Sequence, residues 1–222
     1  NHYFQDIFHF VENETIDGIT RYFLKSPKVV EVAKKYFNCS NVIGVELEEY
    51  DSSGTAGSHW ESRYLLGEYM IGYEYTPEEV ISEFTLAALE DLGFYKANYY
   101  TGGLMQFGKN KGCEFLNQKC IINGKANEKF KNEFFDKIRE GERNPYDPGC
   151  SSGRQSRVVR FFVKSDNVPD AFNYFGNYNK TGAFKPADYC PVGKQINQIG
   201  YYDGSCSKGD GNYMKGFTVI SW

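Results

Sequence analysis

Six cysteines constrain this chain more than any other feature: Cys39, Cys113, Cys120, Cys150, Cys190 and Cys206 fall singly along its 222 residues. No two stand at the CxxC or Cys/His spacing of a structural zinc site. Disulfides formed in an oxidising compartment are therefore the better reading, and reduced thiols in a cytosolic chain the weaker one. Three N-glycosylation sequons, at Asn13, Asn38 and Asn179, agree, although Cys39 inside Asn38-Cys39-Ser40 compromises the middle one. Both signals point to a secreted or cell-surface protein.

The length allows a proper hydrophobic core, so size alone does not demand covalent staples. Net charge is −4, from 25 basic and 29 acidic residues spread along the chain. That distribution offers no basic stripe to nucleic acid and no charged tail to a membrane surface. Eighteen Tyr, 18 Phe and 23 Gly suit a folded protein rich in turns and irregular loops. No window reaches the roughly 18 apolar residues of a membrane helix, and the first residues lack a signal-peptide pattern. The missing initiator Met and a strand-like 217–222 that stops at its last residue give the expectation of a processed or partial chain.

Residues 1–24 mix aromatic and polar groups with no single period and read as loop and short strand; His2 and His9 within them fit no common zinc spacing. Ser26-Pro27 opens a helix carrying Val29, Val30, Ala33, Tyr36 and Phe37, with Ser26 as N-cap. A strand is expected over Val42 to Leu47, running into Glu46, Glu48, Glu49 and Asp51. This acidic run lacks the alternating ligands and glycine of a calcium loop and reads as a solvated turn. Thr76-Pro77-Glu78-Glu79 has the form of a capping box and predicts a helix carrying Val80, Ile81, Phe84, Ala88, Leu89 and Leu92, ending at Gly93. A surface helix is predicted over 126–142 from the spacing of Phe130, Phe134, Phe135 and Ile138. Turn residues predict a loop over 144–153, and Val158 to Val163 a strand.

The chemistry converges on Gly54-Thr55-Ala56-Gly57-Ser58-His59-Trp60-Glu61, followed by Glu68-Tyr69-Met70. By itself His59 is a lone histidine, most often structural, and the chain holds no Gly-x-Ser-x-Gly, no HExxH and no phosphate-binding glycine loop. The wording around it, with Met70 eleven residues later, closely resembles the third-ligand and Met-turn segment of the leishmanolysin family of metzincin-type zinc endopeptidases. The resemblance extends to residues 34–39, 44–48, 90–95, 107–116 and 119–120, to Asp188-Tyr189-Cys190-Pro191, and to Tyr202-Asp203-Gly204-Ser205-Cys206, and is weakest over 121–187.

The resemblance implies an α+β fold: a helical C-terminal subdomain of a metzincin catalytic unit over 1–118, then a disulfide-bonded, turn-rich mixed domain over 119–222. It implies zinc as cofactor and His59 as third ligand, Gly54 and Gly57 letting the backbone turn to present it, and Met70 as the Met-turn beneath the metal. Glu61 and Glu68 stand as orienters of His59, with surface carboxylates the equal alternative. Trp60 and Tyr64 read as local packing more than as cleft lining. It also implies the pairings Cys39–Cys113 and Cys120–Cys190, with Cys150 and Cys206 unpaired, paired together, or paired beyond Trp222.

Two histidine ligands and the general-base glutamate of an HExxH helix are not among these residues. Asn1 is expected to lie shortly after that helix, and the chain alone is not expected to be active. The expected partners are a protein or peptide substrate, the N-terminal part of the same protein, and surface assembly partners, with no nucleic acid. The alternative is a catalytically inactive leishmanolysin-like surface protein with an adhesion or assembly role.

Overall fold

The structure, a computed structural model, describes residues 7–49, 54–73, 79–138, 147–151, 153, 157–177 and 180–194. After one 3-10 turn, the chain enters a hairpin of β1 (Val11–Ile16) and β2 (Ile19–Leu24), paired from Val11–Leu24 to Ile16–Ile19. Asp17 and Gly18 join the strands with positive φ at both positions, the geometry whose twist matches a two-residue hairpin. β2 also pairs antiparallel with β3 (Val45–Leu47), giving the order β1-β2-β3.

Helix α1 (Pro27–Phe37) packs on that sheet with Val29, Val32, Ala33, Tyr36 and Phe37 buried, the i, i+3/i+4 stripe of a one-sided helix. Ser26 occupies its N-cap position but makes no side-chain cap. The carboxylate of Asp91, at the end of α3 (Glu83–Asp91), takes that place: its oxygens accept from the N–H of Lys28 at 2.9 and 3.1 Å and of Val29 at 3.2 Å. An anion therefore meets the positive end of α1, and α1 and α3 are joined through it.

α3 is shorter than the sequence predicts. Thr76, Pro77 and Glu78 lie outside the described residues, and the helix is capped instead by the Ser82 hydroxyl, which accepts from the Phe84 N–H. Val80 is held out of the helix by a bridge to Glu68.

Short elements follow: α2 (Ser62–Leu65) between β3 and α3, then α4 (Cys113–Asn117) and the ribbons β4 (Ile121–Ile122) with β5 (Lys125–Ala126) and β6 (Asp147–Cys150) with β7 (Arg157–Arg160). The helix expected over 126–142 is absent among the described residues 126–138, where one 3-10 turn, Glu128–Phe130, stands in its place. Phe130, Phe134 and Phe135 are buried rather than spaced on a surface face, and Phe134 stacks on Phe115 at 5.7 Å. The pull of the core on these rings, met by turns, outweighs weak helical periodicity. The loop expected over 144–153 contains β6, and the strand expected over 158–163 is the ladder 157–160 plus a single bridge from Val163 to Thr181.

Phe115 is the hub of the core, touching the rings of Phe37, Tyr64, Phe107, Phe130 and Phe134. One buried cluster runs from Leu24 to Val192. Disulfides join Cys39 to Cys113 and Cys120 to Cys190, and Cys150 is free; Cys206 lies outside the described residues. No helix among the described residues is long and apolar enough to cross a membrane. The architecture is α+β, with small sheets and few helices around an aromatic core.

Candidate functional site

β3 leaves its outer edge to the segment that carries His59. The Glu48 N–H donates to the His59 carbonyl at 2.9 Å and the Glu61 N–H to the Glu46 carbonyl at 3.1 Å, so residues 59–61 run antiparallel to β3. Gly54 and Gly57 enter this segment with φ of 77° and 70°, a region open to glycine at no steric cost. On the far side Trp60 bridges Ile71 in parallel, and its N–H donates to the Met70 carbonyl at 2.8 Å. The backbones of the His59 and Met70 segments thus lie side by side.

The His59 ring is half-buried, with Nδ1 2.8 Å from the Ser58 hydroxyl and 3.2 Å from the Thr55 carbonyl. With the proton on Nδ1 facing that carbonyl, Nε2 carries the lone pair that can take a metal. Sequence reasoning missed both orienting groups. Their signal was the turn itself, which brings residues 55 and 58 back onto the ring.

Glu61 and Glu68, read as orienters of His59 or as surface carboxylates, are neither. Both are fully buried. Glu68 accepts from the Met70 N–H, from the Ser82 N–H and hydroxyl at 3.0 Å each, and from the Thr85 hydroxyl at 2.6 Å. Thr85 in turn accepts from the Trp60 indole at 2.9 Å. This chain of bonds fastens the His59 strand and the Met70 strand to the start of α3. Met70 is itself partly buried against the core. Trp60 packs on Phe84 and Tyr64 on Phe115, as local packing.

Alternation along the paired strands puts Glu46, Glu48, His59 and Glu61 on one face, with Val45, Leu47 and Trp60 on the other. The acidic run expected to be a solvated turn is therefore under cover: Glu46 and Glu48 are buried, and the Glu49 side chain is 4% exposed. Asp51 lies outside the described residues. Arg21 from β2 pairs with Glu46, approaches Glu49 at 3.7 Å and reaches Asp188 at 2.9 Å; Arg63 reaches Asp188 at 3.4 Å. Burial, and then the neighbouring Asp188, push the Glu49 carboxyl up to about 9. Burial also raises Glu46, against the pull of Arg21. Burial opposes the charge on Arg21, yet Asp188 and Glu46 hold its guanidinium above the ordinary value.

Asn13 on β1 and Asn38 at the end of α1 are exposed, Asn38 with its neighbour Cys39 already in a disulfide; Asn179 lies outside the described residues. So does His2, and His9 is exposed on the first 3-10 turn.

Compared with known proteins, residues 3–222 match the family model described as Leishmanolysin. The chain is 35% identical over 172 residues to a leishmanolysin homolog of Crithidia fasciculata, covering 76% of this chain and 24% of that protein. It is 32% identical over 209 residues to leishmanolysin of Leishmania donovani, covering 89% and 32%. To a leishmanolysin-like peptidase of Drosophila melanogaster it is 31% identical over 179 residues, covering 75% and 26%. The chain thus spans about a quarter to a third of the length of these relatives.

Proposed function

This chain belongs to the leishmanolysin family of zinc metallopeptidases, and we propose that it is part of a secreted or cell-surface endopeptidase in which His59 is the third zinc ligand and Met70 the turn beneath the metal. The observation that carries this reading is the pinned imidazole: Nδ1 is held by Thr55 and Ser58, which leaves Nε2 as the ligating atom. A histidine fixed through its second nitrogen is what a zinc ligand requires.

Among the described residues His59 belongs to no group of three ligating side chains. The remaining two histidines and the general-base glutamate come, in this proposal, from an HExxH helix outside these 222 residues. Zinc so held supplies Lewis-acid chemistry for hydrolysis of a protein or peptide substrate. The chain's own part is to present His59 at a fixed depth. Pairing with β3, the Trp60–Met70 bond and the Glu68 network restrain that segment from three sides. Residues 1–118 then form the C-terminal subdomain of a metzincin catalytic unit, and 119–222 the Cys-rich domain that follows.

The test uses the full-length protein. His59→Ala lowers bound zinc and removes chelator-sensitive peptide hydrolysis, while the volume-conserving Met70→Leu keeps the zinc and costs less than about 1.5 kcal/mol of stability. Hydrolysis at the wild-type rate in His59→Ala sinks the ligand assignment, and an HExxH substituted in the intact protein makes it an inactive scaffold.

A further inference from the structure

We propose that Glu46, Glu49 and Glu61 form a metal site that does not use His59 and is suited to a calcium-sized divalent cation. One oxygen from each carboxylate lies within 4.8 Å of the other two. An ion at the centre of such a triangle stands no more than about 2.8 Å from each oxygen, a bound that admits the roughly 2.3–2.6 Å of calcium. All three donors are hard oxygens, the ligands calcium takes.

Glu61 supplies the independent observation. Its side chain is completely buried; one oxygen accepts from the Arg63 N–H at 2.9 Å, and the other, Oε2, has no hydrogen-bond partner. A buried carboxylate oxygen without a partner is costly unless a positive group meets it. Neither arginine nearby is hydrogen-bonded to that oxygen. Arg21 pairs with Glu46 and Asp188 and lies 3.7 Å from Glu49, and Arg63 bonds Asp188 and the Gln118 carbonyl. Five buried side-chain carboxylates, Glu46, Glu48, Glu49, Glu61 and Asp188, thus crowd around two guanidinium groups, a density of acidic oxygens that a bound cation relieves. A cavity of about 310 Å³, lined by Arg21, Glu46 and Arg63 among others, reaches the cluster at Glu46.

The site does not depend on the zinc assignment, and its test separates the two. Calcium chloride is titrated calorimetrically into chelator-treated full-length protein, with magnesium chloride as control and melting temperature as second readout. One calcium per chain and a raised melting temperature are expected, with affinity falling about tenfold or more in Glu49→Gln and in Glu61→Gln. Glu61→Gln retains a carbonyl oxygen for the Arg63 N–H, and His59→Ala keeps full calcium affinity.

Absence of binding at millimolar calcium overturns the proposal, leaving shared protons as the neutralising charge. So does affinity unchanged in both Gln variants, affinity lost in His59→Ala, or preference for magnesium. Should the Gln variants not fold, terbium bound to the wild type and excited through Trp60, next to Glu61, decides the matter. Emission displaced by calcium supports the site, and its absence overturns it.

Discussion

Glu68 does more structural work than its place two residues before Met70 suggests. Four donors from three parts of the chain converge on its two oxygens: the Met70 and Ser82 N–H groups and the Ser82 and Thr85 hydroxyls. Glu68→Ala strands those donors in a buried pocket, where each unsatisfied group costs about 1–3 kcal/mol before partial relaxation. The expected loss in urea-unfolding free energy is on the order of 3–5 kcal/mol. Glu68→Gln retains one carbonyl but turns an NH2 group toward an N–H donor, and falls in between. A loss under about 1 kcal/mol for the alanine variant would show that the network does not hold the Met70 segment. At this scale the sequence was legible for residue type and silent on burial. Glu46, Glu48, Glu61 and Glu68 look like surface charge in the sequence, because nothing local reveals that Arg21, Arg63 and the amides of distant turns cover them.

The helices show the same limit one level up. α1 starts where Ser26-Pro27 predicts, since proline fixes φ and gives up an N–H that has no partner in the first turn. Its cap nevertheless comes from Asp91, 63 residues away from Lys28. The buried Ser26 hydroxyl has no hydrogen-bond partner. Two substitutions therefore invert the sequence-based expectation. Ser26→Ala removes an unsatisfied polar atom and should change stability by less than about 0.5 kcal/mol or raise it, whereas Asp91→Ala should cost about 1–2 kcal/mol. Chemical denaturation of both variants ranks them, and a Ser26→Ala loss as large as that of Asp91→Ala would return the cap to the serine. α3 and the 126–138 stretch depart from their predicted spans because tertiary partners win over local pattern. Val80 bridges Glu68, and Phe134 is drawn onto Phe115. The hairpin and α1 are legible because turn chemistry and apolar spacing there agree with burial.

At the scale of the whole molecule, two disulfides among the described residues close two consecutive loops. Cys39–Cys113 spans 74 residues and Cys120–Cys190 spans 70, and the loops share no residue. The first ties the end of α1 to the start of α4, beside Phe115; the second returns Cys190 to the edge of β4, next to the Asp188 that pairs with Arg21 and Arg63. In the chain-entropy model each crosslink removes about 4 kcal/mol of unfolded-state freedom. Contributions from separate loops add when their sites do not share partners. Replacing either pair by serine should therefore lower the unfolding free energy by about 4 kcal/mol, and replacing both by about 8. Domains of this kind are stable by only about 5–15 kcal/mol, so each double variant keeps part of that margin at 25 °C while the quadruple variant loses most or all of it and melts at a far lower temperature. A quadruple variant that melts cooperatively within about 2 kcal/mol of the wild type would assign the stability to the aromatic core alone and make the crosslinks dispensable.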